Sequence, residues 1–304
     1  MNNKIIIGSR GSKLSLAYAN RVKNLISNID LIIGNKIIIE TIKTSGDLFQ
    51  GKKISEIGGK NLFCKEIEEK LIRKEIDIAV HSLKDMDSIE TKGLVIHAYI
   101  ERNDPRETFV SKKFEKLSEI NKGNIGSSSR RRELQLKLIN KNITVKNIRG
   151  NVDTRINKVK GNIYDATILA NAGVSSLDFN KDVSYVFSID EMLPSAGQGV
   201  IALQSKADDN FINNLLNKIN HRQTYLSVKS ERNVLKVLDG DCETAIGVYS
   251  IIKDDIIELK AELFSIDGNE RFYIESSKNV GQADELGLEV GENLKRQSKG
   301  NYKK

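Results

Sequence analysis

A chain of 304 residues is too long for one ordinary hydrophobic core, so two or three domains are expected, and 39% hydrophobic with 29% charged residues excludes a disordered chain. The net charge of +7 is local: residues 123–160 hold ten Lys or Arg against Glu133 and Asp153, which leaves the remainder about neutral. That basic segment contains no Phe, Tyr or Trp, which weakens single-stranded nucleic-acid binding and leaves duplex phosphate, a solvated face or a pocket for a small polyanion.

Residues 4–8 read as a strand, followed by the loop Ser9-Arg10-Gly11-Ser12 and a helix with Leu14, Ala17, Tyr18, Val22, Leu25 and Ile26 on one face and Ser12 at the N-cap. The glycine spacing of that loop is too short for a phosphate loop, but a helix N-terminus beside Arg10 suits a carboxylate. The apolar run 31–39 is broken by Gly34-Asn35-Lys36, and the three isoleucines after Lys4 stop at Gly8, so neither a membrane span nor a signal-peptide core is expected, and the default is cytoplasmic. Residues 36–43 form a second strand ending in the polar loop Thr44-Ser45-Gly46-Asp47. Gly58-Gly59-Lys60-Asn61 then leads into a helix carrying Phe63, Ile67 and Leu71, with Cys64 next to its apolar face as a buried structural thiol. A strand over 76–80 completes a β-α-β-α-β run, the pattern of a wound, mainly parallel sheet.

A strand over 94–99 precedes Asn103-Asp104-Pro105-Arg106. A second alternating run follows: Ile125 into Ser127-Ser128-Ser129 and a helix, a strand over 143–148, a helix with Val152, Ile156 and Val159 on one face, and a strand over 166–170. After Pro194-Ser195-Ala196-Gly197-Gln198-Gly199, residues 200–204 form one more buried strand, and a helix carries Phe211, Ile212, Leu215, Leu216 and Ile219. The chain is therefore expected to leave a first domain near 100, build a second and return near 199, with a ligand cleft beneath the two crossings. From about 220 a helix with Tyr225, Val228, Leu235 and Leu238 ends at Asp239-Gly240. Runs 246–252, 256–265 and 271–276 are joined by hairpin turns, and a final helix presents Ala283, Leu286, Val290 and Leu294. The predicted division is 1–99 with 200–219, 100–199, and 220–304.

Three places carry candidate chemistry. Ser82, Lys84 and Asp85 follow the strand 76–80, beyond the carboxyl end where wound sheets keep ligands; a loop whose Asp caps the next turn is the plainer reading. Ser127-Ser128-Ser129 with Arg130-Arg131-Arg132, and Arg149-Gly150-Asn151 with Arg155, both sit at strand-to-helix junctions, so they are expected to open on one edge and to hold several carboxylates. Cys242 lies in the loop Asp239-Gly240-Asp241-Cys242-Glu243, whose acidic neighbours argue against a fast thiolate nucleophile but not against a permanent thioether. His81, His97 and His221 have no ligand spacing, two cysteines close no metal site, and no metal is expected.

In this order, Leu62-Phe63 after Gly58-Gly59-Lys60, His81-Ser82-Leu83-Lys84-Asp85, Asp104-Pro105-Arg106, Ser128-Ser129 with Arg131-Arg132, Leu134-Gln135-Leu136, Arg149-Gly150-Asn151-Val152 with Thr154-Arg155, Ala196-Gly197-Gln198-Gly199 and Cys242 resemble the porphobilinogen deaminases from Arg10 into the third domain. The resemblance implies two wound α/β domains like a type II periplasmic binding protein, plus a small α+β C-terminal domain with a three-stranded antiparallel sheet. It implies a cytoplasmic, monomeric transferase of tetrapyrrole and haem biosynthesis, with porphobilinogen as small-molecule substrate and no nucleic-acid or membrane partner. Its cofactor would be one dipyrromethane per chain, joined covalently to Cys242 through a thioether. Asp85 would be the catalytic acid and would also bind the cofactor. Ser82, Lys84, Ser128, Ser129, Arg131, Arg132 and Arg155 would hold cofactor carboxylates. Arg10, Ser12, Arg149 and Arg155 would meet the incoming substrate. The alternative is a non-catalytic two-lobed anion-binding protein.

The chain departs from the family pattern at Met86-Asp87, where Val-Pro is usual, at Asp241 and Asn61, each in place of a Gly, and at Arg130, where an apolar residue is common. Ser175-Ser176 stands where bacterial members often place an Arg for a substrate carboxylate, and Arg130 is the candidate to compensate.

Overall fold

The computed structural model describes residues 4–48, 62–239 and 244–303, the side chain of Leu48 excepted. In chain order the elements are β1 (Ile5–Arg10), α1 (Lys13–Ile29), α2 (Leu31–Gly34), β2 (Ile37–Ile42), α3 (Ser45–Leu48), α4 (Lys65–Ile72), β3 (Ile78–Ser82), a 3₁₀ turn (Leu83–Asp85) and β4 (Leu94–Tyr99). Next come β5 (Glu107–Ser111), β6 (Gly123–Gly126), α5 (Arg130–Ile139), β7 (Ile143–Lys146), α6 (Val152–Lys160), β8 (Ala166–Ala170), α7 (Asn171–Ser175) and β9 (Tyr185–Val186). The chain ends with β10 (Ile201–Lys206), α8 (Asn210–Asn217), α9 (Arg222–Leu238), β11 (Ile246–Lys253), β12 (Ile256–Phe264), β13 (Arg271–Asn279) and α10 (Ala283–Ser298). Two compact units result, one from 1–103 with 200–225, the other from 104–199 with 226–304.

In the first unit the sheet runs β2-β1-β3-β10-β4, with β1 parallel to β2 and β3, and β10 antiparallel to β3 and β4. Ile5, Ile7, Ile78, Val80, Ile201 and Leu203 pack on one face with Tyr18, Val22 and Ile26 of α1 and with Leu215 and Leu216 of α8. Ile42 and Ala79 pack on the other with Ile67 and Leu71 of α4. A strand covered on both faces has no polar face to show, which is why residues 5–7 and 78–80 read as unbroken apolar runs. Ser12 caps α1 as expected, accepting a hydrogen bond from the Ser15 amide at 3.1 Å.

Several local expectations need correction. Residues 45–48 make a helical turn rather than a loop, because the Asp47 carboxylate accepts from both the amide and hydroxyl of Thr44 and pulls the chain round. Phe63 precedes α4 instead of riding on it, and its ring lies under the Arg10 guanidinium, 4.1 Å from centroid to Cζ. Phe211 is exposed in the first turn of α8, where its neighbour Ile212 takes the buried position. The strand predicted over 143–148 stops at Lys146.

The second unit holds two sheets. One runs β7-β6-β8-β5-β9, with β6 parallel to β7 and β8, and β5 antiparallel to β8 and β9. Sequence patterning did not mark β5 or β9: β9 has two residues, and β5 reads Glu-Thr-Phe-Val-Ser, with a charge at the head of a strand whose first four residues are buried. The other is the expected antiparallel β11-β12-β13, whose Val248, Ile257, Leu259, Ala261 and Leu263 pack with Val234 and Leu238 of α9 and with Leu286, Val290 and Leu294 of α10.

Helix α10 comes so close to α9 that a Cβ on Gly287 would stand 2.2 Å from the Ser230 carbonyl oxygen. Backbone cannot yield as a side chain does, so Gly287→Ala is expected to destabilise the chain by about 1–3 kcal/mol, read as a lowered midpoint in urea unfolding; an unchanged midpoint would show that the helices can separate freely.

Candidate functional site

In both five-stranded sheets the antiparallel strand starts where the parallel strands end. Glu107, the first residue of β5, pairs with Ala170, the last of β8. Ile201, the first of β10, pairs with Ser82, the last of β3. Each unit therefore gathers loops from several strands on one edge, the edge where wound sheets expose helix N-termini and free N–H groups.

On that edge of the second unit stand both basic junctions, as expected from the parallel pairing of Gly126 with Lys146. Ser127 accepts from the Ser129 amide at 3.2 Å, Ser129 caps α5 by accepting from the Arg132 amide at 3.4 Å, and Ser128 donates to Asn147 Oδ1 and to the Ile148 carbonyl. The Ser128 hydroxyl thus ties the first junction to the second, while those of Ser127 and Ser129 shape the first. Gly150 has φ +114°, which side chains rarely adopt, and a Cβ there would also press on Thr154. That turn lets Arg155 fold back from α6, its Nε donating to the Gly150 carbonyl at 2.8 Å, while Lys158 Nζ donates to the Arg149 carbonyl at 2.9 Å.

Arg131 and Arg132 do not stand in solvent. Both are buried, and both grip the fully buried carboxylate of Glu107. Arg131 Nη2 donates to Glu107 Oε1 at 2.7 Å; Arg132 forks onto Oε1 through Nε at 3.0 Å and onto Oε2 through Nη2 at 2.7 Å. Arg131 Nη1 also donates to Gln135 Oε1 and to the Leu193 carbonyl, and Arg132 Nη1 to the Ile168 carbonyl. Arg130 turns the other way, pairing with Glu133 and reaching the carbonyls of Ile266 and Asp267 in the β12–β13 turn. Ser175 hydrogen-bonds Asn180, and Ser176 follows the end of α7.

On the edge of the first unit, Arg10 at the end of β1 donates to Asp47 through Nη2 at 2.5 Å and Nε at 3.4 Å. Burial works against the Asp47 charge, but the hydrogen bonds and charge of Arg10 together with the hydrogen bonds from Thr44 outweigh it and hold the carboxyl below its usual range. Ser82 is half-buried, and Lys84 and Asp85 are exposed on the 3₁₀ turn, whose Leu83 amide donates to the Val200 carbonyl at 3.0 Å. Beneath the turn lies the buried Cys64 thiol, 3.9 Å from the Asp85 carbonyl; burial, then the charges of Asp85 and Glu68, push its pKa up, so it is an inert structural thiol as expected. Cys242 and Asp241, like Gly58-Gly59-Lys60-Asn61, lie outside the described residues.

Sequence reasoning missed Asp47, Glu107 and a buried polar chain under Asp85. In that chain His81 Nε2 meets Gln204 Oε1 at 3.2 Å, Gln204 Nε2 donates to Glu68 Oε1 at 2.8 Å, and the Thr91 hydroxyl donates to Glu68 Oε2 at 2.7 Å. The β10–β4 register shifts at Leu203/Gln204, one residue out of step with the alternation that a pattern search uses. Each of these partners is far away in sequence, so only the presence of a polar residue inside an apolar run could have marked it.

Burial holds His81 neutral, its pKa pushed down to about 4 despite the opposing charges of Glu68 and Asp85 and the Gln204 hydrogen bond. Unfolded, it titrates near 6.5, so between those values the unfolded chain binds the extra proton and stability falls as the pH drops. His81→Gln should remove that contribution, flattening the acid limb by up to about 1.4 kcal/mol per pH unit between pH 6.5 and 4. Parallel urea titrations of the two proteins check it, and limbs of equal slope would count against a neutral buried His81.

The donor set of the second unit is chemically uniform. Four arginines (Arg131, Arg132, Arg149, Arg155) and the serine hydroxyls all offer N–H or O–H, with Glu107 as internal counter-charge. Such a set fits a ligand bearing several carboxylates. Among the described residues no cluster of His, Cys, Asp and Glu could hold a metal ion, and no helix is long and apolar enough to cross a membrane.

Comparison with known proteins bears on the same residues. The family model "Porphobilinogen deaminase, dipyromethane cofactor binding domain" matches residues 5–214, and "Porphobilinogen deaminase, C-terminal domain" matches 225–296. The porphobilinogen deaminase of Orientia tsutsugamushi is 41% identical over 297 residues, covering 96% of this chain and 98% of its own. That of Campylobacter hominis is 38% identical over 285 residues, covering 93% and 91%. Among solved structures, a periplasmic solute-binding protein of Pseudomonas putida aligns over 77% of this chain and 81% of its own, with TM-score 0.42 and 9% identity.

Proposed function

The chain belongs to the porphobilinogen deaminase family, and from that premise we propose how its residues divide the work of condensing four porphobilinogens head to tail, with loss of ammonia, into hydroxymethylbilane. The activity is that of a transferase in tetrapyrrole synthesis, and dipyrromethane is the cofactor for which the matched domain is named. The observation that carries the division of roles is the pair of basic junctions opening on one sheet edge. Every pyrrole of the product bears carboxylates, so the growing chain becomes a polyanion that only a dense donor set can hold.

In this reading Cys242 carries the dipyrromethane as a thioether, and Ser82, Lys84, Ser128, Ser129, Arg131, Arg132 and Arg155 bind its carboxylates. When bound, the cofactor supplies the pyrrole to which the first substrate is joined. Arg10, Ser12, Arg149 and Arg155 take the carboxylates of the incoming porphobilinogen. Asp85, beside Lys84 on its 3₁₀ turn, offers a carboxylate that stabilises positive charge and accepts hydrogen bonds from pyrrole N–H groups as ammonia departs. Residues 1–99 with 200–219, 100–199 and 220–304 act as three domains, each with a sheet of its own. The protein works as a cytoplasmic monomer with no nucleic-acid partner.

Asp85→Asn should keep the fold and the covalent dipyrromethane and lose turnover about 10²- to 10⁴-fold, measured as ammonia or hydroxymethylbilane released; near-normal release would reject the role. Intact-protein mass spectrometry should find the dipyrromethane adduct in the parent chain and none in Cys242→Ser. An unmodified parent chain that binds porphobilinogen without consuming it would favour the non-catalytic anion-binding protein instead.

A further inference from the structure

Arg131 and Arg132 pose a physical problem. Two guanidiniums, 5% and 7% exposed, sit against one another at the head of α5, and the one carboxylate they share, Glu107, has no exposed surface. Burying a charge without a partner costs several kcal/mol, and although the buried Glu262 also attracts Arg131, it is already paired with Arg271, so the two carboxylates do not neutralise the three cations. The fork geometry shows what Glu107 does accomplish. By taking Nη2 of Arg131 and both Nε and Nη2 of Arg132, it fixes both planes and separates two like charges. The Ile168 carbonyl, the Leu193 carbonyl and Gln135 lock the remaining orientation. Among the described residues this leaves partnerless the Nε–H and one Nη2–H of Arg131, and one hydrogen on each Nη of Arg132.

Glu107 reaches this place for a topological reason. It opens the antiparallel strand β5, and its register with Ala170 brings it to the edge at which β6, β7 and β8 release their loops.

We propose that Glu107 is a positioning residue for cofactor capture: it holds Arg131 and Arg132 as a pre-aligned pair with surplus positive charge, ready for a carboxylate of the dipyrromethane. The inference rests on the functional reading above. A guanidinium pair already desolvated and aligned loses little freedom when an anion arrives, so the gain appears in how readily the cofactor is acquired. Glu107 itself touches neither substrate nor cofactor in this account.

The test follows loading, not turnover. Full-length parent, Glu107→Gln and Glu107→Asp proteins, each prepared without cofactor, are titrated with porphobilinogen, and the fraction carrying dipyrromethane is read from intact mass. The folded fraction is measured in parallel by urea unfolding. Glu107→Gln keeps the shape but removes the charge; Glu107→Asp keeps the charge but is too short to fork onto both arginines. Both variants should unfold at lower urea than the parent, yet, compared per folded molecule in water, need roughly tenfold more porphobilinogen for half-loading, the worth of about one charge-assisted hydrogen bond. Glu107→Asp should lie nearer the parent than Glu107→Gln. Loading that merely tracks the folded fraction in both variants overturns the proposal, and so does failure of both to fold, because Glu107 would then be a requirement of the fold alone. A parent chain that never acquires the adduct overturns the functional reading itself, a separate outcome.

Discussion

A carboxylate shut away from water between two guanidiniums is the interaction on which the second unit turns. Glu107 ties β5 to the first turn of α5, and α5 in turn reaches the three-stranded sheet, where Gln135 donates to the buried Glu262, itself paired with Arg271 at 2.9 Å. Charges in such places are held by geometry. A pair with good forks and satisfied carbonyls is tolerated, whereas removing one partner strands the other in a medium that cannot solvate it. The residues that look most available for a ligand in the sequence, Arg131 and Arg132, are therefore among the most constrained in the fold.

The same topological device serves both five-stranded sheets. Three parallel strands deliver their loops to one edge, and one antiparallel strand, entering in the second unit and returning in the first, begins at that edge. Parallel strands with helical crossovers oblige helix N-termini to gather there, and those termini supply N–H groups that favour anions. Each unit adds polar groups of its own: Arg10, Ser12, Asp47, Lys84 and Asp85 in the first, and Ser128, Ser129, Arg149 and Arg155 in the second. Of the basic segment found from composition, Arg131, Arg132, Arg149 and Arg155 stand at the loops collected along this edge, and its lack of aromatic residues suits a ligand held by charge instead of stacking.

Under Asp85 the first unit keeps a second buried polar assembly. Glu68, Gln204, His81 and Thr91 satisfy one another inside an apolar layer that includes Ile67, Leu71 and Ala79, and the Cys64 thiol lies one helical turn from Glu68. A neutral imidazole at that position keeps a second charge away from the turn that carries Asp85. Leaving any of these groups unpaired would cost about 1–3 kcal/mol, so the chain sets the register of β3, β10 and α4 together, and with it the place of Asp85.

The sequence by itself determined the wound α/β order, the three-stranded antiparallel sheet, the Ser12 cap, the buried Cys64 and the identity of the family, because each is written in local periodicity, turn chemistry or a contiguous motif. It also located both basic junctions, since a strand followed by serines or Arg-Gly and a helix is a local pattern. Tertiary structure alone decided that Arg10 leans on Asp47 and Phe63, that Arg130 grips the β12–β13 turn, and that Glu107, Gln204 and Glu68 sit inside with partners. Those contacts join residues between 24 and 136 positions apart for the side chains in hydrogen bonds with Glu107 and Gln204. Burial turns such polar residues from solvated side chains into fixed charges and hydrogen bonds, and burial is a property of the packed chain that no window of sequence contains.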